Sequence, residues 1–199
     1  MKSLILKIVL LAVIIFLGYM VYDSINQPLE FKKERARREV EVVQRLKDIR
    51  NAQFLYKLAY NSYTPSFDSL IAFLKSGEIP VVKLIPDPED TTFTKTIADT
   101  LGYVKVIDSL FGKRPGFNVN NLRYIPFSDS IEFEMDAGNI DRGGVNVSVF
   151  EAKAPFMAYL KGLEEQRIYN IIAAEEDIDK FPGLKVGSMT EPSTDGNWE

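Results

Sequence analysis

The 199-residue chain contains no cysteine and no histidine. Without cysteine there is no disulfide framework, no thiolate nucleophile and no lipid attached through a thiol. A disulfide-free chain is compatible with either side of a membrane, so cysteine usage leaves the compartment open. Without histidine the commonest general base is missing, and most zinc sites go with it. No G-x-S-x-G, P-loop, Rossmann or H-E-x-x-H pattern occurs either. Acid–base work would therefore fall to Asp, Glu, Lys or Tyr. Glu132 and Glu134 alternate onto one face of an expected strand, about 7 Å apart. A carboxylate pair and a solvated strand face both fit them. No residue stands out as catalytic, cofactor-binding or metal-ligating. The chain is expected to be non-enzymatic, with no cofactor and no evident small-molecule substrate.

Glycine and proline are missing from a long stretch as well. Between Leu29 and Thr64 neither occurs, so nothing stops a helix there. Before it, Ser3 to Tyr22 reads SLILKIVLLAVIIFLGYMVY, apolar apart from Ser3 and Lys7. At 1.5 Å rise, about 20 such residues cover the roughly 30 Å of a bilayer's hydrocarbon layer. Lys7 lies near one end, where its ammonium can snorkel out, and Tyr19 and Tyr22 mark the other, as interfacial aromatics do. The alternative is a cleaved signal peptide, but YDSINQP after the run lacks a small-x-small site. Residues 3–22 are thus expected to sit in the lipid bilayer as a single uncleaved span of the cytoplasmic membrane. Lys2 and Lys7 favour the N-terminus inside and the remainder outside, while the cations at 32–38 pull the other way.

Charge is unevenly placed. The chain has 24 basic and 28 acidic residues, for a net charge of −4. Residues 30–50 are net +3 and residues 51–199 net −8. An acidic globule lacks the clustered cations that phosphate contacts need, so nucleic acid is not an expected partner. The basic stretch fits either anionic headgroups or a solvated helix face. A mean hydropathy of −0.07 argues against several membrane spans.

Three regions follow: an anchor over 1–24, a stalk and core helix over 25–63, and an α+β globular domain over 64–199. Pro28 reads as a break or a first-turn position, with a helix restarting at Leu29. Val42, Leu46, Ile49, Gln53, Tyr56 and Tyr60 then recur at three- and four-residue steps, widened by Ala52, Leu55 and Ala59. This half is expected in the core; a coiled coil over about three heptads is the rival. Residues 30–38 have almost no apolar face and are expected to stand in solvent or at headgroups.

Further on, SFDSLIAFLKSG predicts a short helix capped by Ser66 or Asp68 and stopped by Gly77. IPVVKLI (79–85) predicts a strand and PDPEDTT a loop. A short helix is expected at 95–100, then YVKVID as a strand. Alternation in 130–137 and 145–153 predicts a hairpin over 131–153, with GNIDRGG as turn chemistry. EEQRIYNIIAAEEDIDKF (164–181) predicts a C-terminal helix with Ile168, Ile171, Ile172 and Ile178 on one side. PGLKVGSM predicts a last strand, after which Trp198 is expected to fold back onto the sheet or onto helix 40–62. The fold class is α+β: an N-terminal transmembrane helix continuing into a long amphipathic helix packed on a small antiparallel sheet, plus a C-terminal helix.

A span continuous with a helix, followed by DIRNAQFLYKLAYNSYTPSFDSL at 48–70, resembles the start of a type IV pilin or a type II secretion pseudopilin. The closing Asp195-Gly196-Asn197-Trp198 is similar to the tail of major pseudopilins. The resemblance implies a long helix on a small antiparallel sheet in a cell-envelope assembly, with self-association or other envelope proteins as partners. The prepilin-peptidase site, a Gly before Phe with Glu five residues into the mature helix, is not in this sequence. Processing and standard polymerisation are expected to differ accordingly.

Other motifs have simple readings. Asp87, Glu89 and Asp90 in one expected loop, and Asp136, Asn139 and Asp141 in another, offer oxygen ligands for calcium, but neither spacing matches an EF-hand loop. Asx-turns explain them equally. Asp-Ser/Thr-apolar occurs at Asp23, Asp68, Asp99, Asp108 and Asp129. It is similar to a bacterial periplasmic O-glycosylation acceptor and equally to helix caps. Asn146-Val147-Ser148 is a sequon within an expected strand.

Overall fold

The computed structural model describes residues 2–86, 96–114 and 116–199. It is α+β, organised on one helix. That helix, α1, runs unbroken over Lys2–Tyr60, 59 residues, with Pro28 inside it. The expected break at Pro28 does not occur. Proline removes the hydrogen bond its own N–H would give to the Ser24 carbonyl and its ring crowds that carbonyl, but Ser24 is exposed, so the carbonyl can turn to water. The apolar first part contains a window of mean hydropathy 2.3 in which nothing is buried. It is long and apolar enough to cross a membrane.

The second part is the opposite case. Val42, Leu46, Ile49, Ala52 and Gln53 have no exposed surface. They recur at the helical step, so one stripe faces inward over about three turns. Each fully buried branched side chain there contributes roughly 1.5–3 kcal/mol. The stripe ends sooner than the sequence suggests: Ala59 and Tyr60 are exposed, although the Tyr60 ring still packs edge-on against Phe73 at 5.7 Å.

One side of α1 meets a three-stranded antiparallel sheet of β3 (Glu134–Arg142), β4 (Val145–Pro155) and β5 (Gly183–Gly187), in that order. Pairing sets Met135 beside Ala152 beside Val186, and places Ala154 beside Leu184. Alternation puts these on one face with Ala137 and Phe150. Ala152 and Ala154 are small and fully buried, which lets the helix approach the central strand closely. The opposite face carries Glu151, held by Lys153 at 2.7 Å and Lys185 at 3.0 Å. The hairpin is as expected but its turn is tighter. Gly138 to Arg142 continue β3, and Gly143-Gly144 alone turn the chain, with φ of 64° and 84°. Two consecutive positive φ values are what a two-residue hairpin turn needs.

Helices α2 (Phe67–Ser76) and α3 (Val106–Phe111) and a 3₁₀ turn (Val119–Arg123) also pack on α1. The Ser66 side chain caps α2 and Gly77 ends it, as the sequence predicts. Between α2 and α3 a ribbon of β1 (Glu78–Pro86) and β2 (Thr96–Lys105) forms a separate two-stranded sheet. Residues 96–100 are strand rather than the expected helix, and of YVKVID only Tyr103–Lys105 is strand, because Val106 starts α3. The register with β1 decides this: Ile97 and Ala98 pair with Ile85 and Leu84, and tertiary pairing overrides a weak local preference. The PDPEDTT loop, with Asp87, Glu89 and Asp90, lies beyond the described residues apart from Pro86. After β4 come a single turn, α4 (Phe156–Tyr159), and α5 (Glu165–Glu176), shorter than expected. Ile168 is buried, but Ile178 lies past the end of α5 and is 58% exposed.

Two side-chain devices close the structure. The Gln53 amide is buried and grips Thr64 at both ends: Nε2 donates to the carbonyl at 2.6 Å, and Oε1 accepts from the N–H at 3.1 Å. A polar residue on the apolar stripe thus satisfies the backbone where the chain leaves α1. Gln53→Leu is expected to cost about 3 kcal/mol in chemical denaturation, because it leaves two buried backbone groups unpaired.

The tail folds back as expected. Gly196 bridges to Val186, Asn197 N–H donates to Lys185 O at 3.1 Å, and Glu199 pairs with Arg50 at 2.9 Å. The half-buried Trp198 ring lies over Gly196, where a Cβ would sit 2.3 Å from it. Trp198 emission is therefore expected to be blue-shifted in the folded chain and to move red on unfolding, and Gly196→Val should remove the shift. A water-like maximum in the native protein would contradict this packing.

Candidate functional site at the base of the globule

Residues 30–38, expected in solvent or at headgroups, divide: Glu30, Lys32, Lys33, Ala36 and Arg37 are exposed, whereas Phe31, Glu34, Arg35 and Arg38 are half-buried where the globule grips the helix nearest its apolar part. The correction is physical. Arginine carries a long apolar stem and a flat cation that stacks on rings. Arg35 lies over Phe156 at 5.0 Å, and Arg37 and Arg38 lie over Phe127 at 5.0 and 5.3 Å. Arg38 Nη1 also donates to the carbonyls of Tyr159 and Lys161, each at 2.9 Å. These carbonyls lie at the end of α4 and just after it, so the β4–α5 connection is tied to α1.

Acidic neighbours hold the arginines in place. Arg35 pairs with Glu39 at 2.7 Å, and Glu34 accepts from both Arg37 at 2.6 Å and Arg38 at 2.9 Å. Hydrogen bonds from Arg37 and then Arg38 bring the Glu34 carboxyl down from 4.5 to about 2. Burial raises the Tyr159 hydroxyl above its ordinary range, and the charge of Glu39 adds to the shift. The Glu34–Arg38 and Arg35–Glu39 steps of four residues were legible signals of helical ion pairs. Their aromatic partners were not.

Phe127 explains why. It has φ of 65°, and Asp129 and Ser130 follow at 48° and 72°. A bulky residue in the left-handed region costs roughly 1–2 kcal/mol. The loop is held by Ser128, nearly fully buried, whose hydroxyl donates to Ile125 O at 2.6 Å. No local sequence rule places a phenylalanine there.

A cleft of about 830 Å³ opens beside these contacts. Glu30, Phe31, Lys33 and Glu34 line it from α1, and Leu163 and Glu164 from the loop before α5. Its charges are mixed, so it is not built for one simple ion. Higher on the helix, buried Asp48 accepts from Arg114 at 2.6 and 3.0 Å. That hydrogen bond raises the Arg114 pKa, while burial lowers that of Arg45 nearby. These groups lock α1 to the segment after α3.

The remaining motifs are dispersed. Asp136, Asn139 and Asp141 lie along β3 rather than in a loop, and alternation puts Asp136 on the face opposite the other two. Each accepts a local bond, from Ala137 N–H, Ser148 hydroxyl and Gly144 N–H respectively. No group of three His, Cys, Asp or Glu side chains among the described residues could hold a metal ion. Glu132 pairs with Arg123 at 3.3 Å, which accounts for it without Glu134. Asp68 and Asp108 sit in first helical turns, whereas Asp23 is within α1, Asp99 in β2 and Asp129 in the Phe127 loop. The sequon lies in β4. Comparison with protein-family models, curated proteins and solved structures finds no match.

Glu34 gives a direct test of this collar, the ring of contacts that Arg35, Arg37 and Arg38 make with Glu34, Glu39, Phe127 and Phe156. Its folded pKa lies below the ordinary value, so its contribution is complete above pH 4.5 and is lost as pH falls through about 2. Carboxyl NMR titration is expected to place its midpoint near that lower value. Arg38→Gln should move the midpoint back toward 4.5.

Proposed function

We propose that this chain is a membrane-anchored, non-enzymatic structural or assembly protein with the layout of pilins and pseudopilins. Its globule stands on the outer side of the cytoplasmic membrane. One observation carries the reading: a single unbroken helix is wholly exposed and apolar along its first part and forms the core of the globule along its second. A helix shared in this way makes anchor and globule one body rather than two domains on a flexible tether. The non-enzymatic reading is supported by where the displaced pKa values lie. Glu34, Tyr159, Glu151 and Arg114 are tied into pairs that hold elements together, and of these four Glu34 alone lines the 830 Å³ cleft.

A second reading, a tethered domain that recognises a protein partner, is favoured by the β1–β2 ribbon. Val81, Leu101 and Tyr103 are exposed on it, and a two-stranded sheet of this kind is marginal alone.

Carbonate-washed membranes are expected to retain the full-length chain, and protease added to spheroplasts to degrade the globule. Protection of residues 51–199 until lysis would reverse the orientation, and release by carbonate would remove the anchor. Cross-linking in membranes separates the two functions. Ladders of this chain alone favour assembly, and a single hetero-adduct lost on deleting the ribbon favours partner recognition.

A further inference from the structure

The five cations at 32–38 are not equivalent. Arg35, Arg37 and Arg38 are spent on Glu34, Glu39, Phe127, Phe156 and backbone carbonyls. Lys32 and Lys33 are exposed and make no ion pair among the described residues. At about 100° per residue, Lys32 and Lys33 bracket Ile25, Leu29 and Ala36 in a sector about 100° wide, its centre about 90° from Leu46 and about 130° from Val42. Ile25 is 59% and Leu29 58% exposed, so this face stays apolar beyond Tyr22, the last residue of the apolar run. The acidic residues keep off it. Asp23, Gln27, Glu30 and Glu34 recur at three- and four-residue steps on a different side, centred about 140° away; Gln27, Glu30 and Glu34 line the cleft with Glu164, and Lys33 stands at its edge between the two sides.

We infer that the face formed by Ile25, Leu29, Lys32 and Lys33 lies against anionic phospholipid headgroups of the bilayer that holds the anchor, so that the helix leaves the membrane tilted toward that side. The inference rests on the anchor reading above. The helix is unbroken, so the lipid surface is delivered to this face by the chain itself. An upright helix would carry Lys32 about 15 Å beyond Tyr22, past a headgroup layer of roughly 5–8 Å. Tilt brings Leu29 into that layer, and the flexible stems return the two ammonium groups to the phosphates. On the other side Asp23, Glu30, Glu34 and Glu164 are repelled by the same surface, which drives the tilt in one direction. The chemistry recognised is a phosphate-bearing lipid of net negative charge.

The cysteine-free chain allows a clean test. Full-length Leu29→Cys and Glu30→Cys proteins, each carrying an environment-sensitive fluorophore, are placed in nanodiscs of phosphatidylcholine alone or mixed with phosphatidylglycerol. An aqueous quencher is then added. In the mixed discs the label at 29 is expected to be protected and the label at 30 quenched. Neutralising Lys32→Gln or Lys33→Gln should lower the protected-to-quenched ratio at 29 about fivefold each, and phosphatidylcholine alone, which removes both attractions, about 25-fold. Equal quenching at 29 and 30 in the mixed discs overturns the proposal, as does protection at 29 that ignores phosphatidylglycerol and both substitutions. A chain that fails to co-elute with discs removes the anchor reading, and the proposal with it.

Discussion

The burial of one stripe of α1, from Val42 to Gln53, is the constraint on which the other elements depend. The three-stranded sheet lays its alanine-lined face on this stripe, and α2, α3 and the 3₁₀ turn pack on α1 rather than on that sheet. The helix is therefore the centre of the globule and not a stalk beneath it. Its removal would separate the two packed groups and expose Leu70, Leu74, Val106 and Val186 at once. The same continuity explains the polar devices. Gln53, Asp48, Arg38 and Arg50 each tie α1 to a different segment, at Thr64, Arg114, the Tyr159–Lys161 turn and Glu199. Four fastenings spread over about 200° of the helix circumference fix its rotation as well as its position.

The ribbon is the part least governed by this constraint. Its edges carry features that discourage further strand pairing. Pro80 and Pro86 remove donors from β1, and the register slips at Val81/Val82 opposite β2. Its faces remain exposed at Leu101 and Tyr103. Blunted edges with uncovered faces suit contact through side chains rather than through added strands.

Much of this was legible in the sequence, for identifiable reasons. The absence of glycine and proline between Leu29 and Thr64 fixed the long helix, and period 3.6 picked out Val42, Leu46 and Ile49. Ser66 and Gly77 marked α2 because caps act locally. What failed was non-local. Residues 96–100 became strand through pairing with 82–86, and Ile178 fell outside α5 because the helix stops at Asp177. The collar at the base was misread because a hydropathy count treats Arg35 and Arg38 as solvent-seeking. Their partners, Phe127 and Phe156, lie about 90 or more residues away in the sequence, one of them in a backbone conformation no propensity predicts.

Pro28 shows how these pieces form one mechanical unit. Inside a helix a proline costs roughly 3 kcal/mol, largely through the lost bond and the clash with the preceding turn. Here it lies after the apolar run and before Phe31, where the globule first touches α1. At that level the freed Ser24 carbonyl can turn to water, which neither the bilayer interior nor the packed core would provide. The sequence thus places its one helix-weakening residue where the penalty is least, and the helix continues. The collar and the buried stripe thus hold the globule to the same unbroken helix as the apolar part, with no joint between them. Any angle at which the helix leaves a bilayer is carried directly to the sheet, the ribbon and the cleft. In the anchored state proposed above, the segregation of Asp23, Glu30 and Glu34 from Lys32 and Lys33 over about three turns would set which side of the globule is raised and which is brought toward the lipid surface.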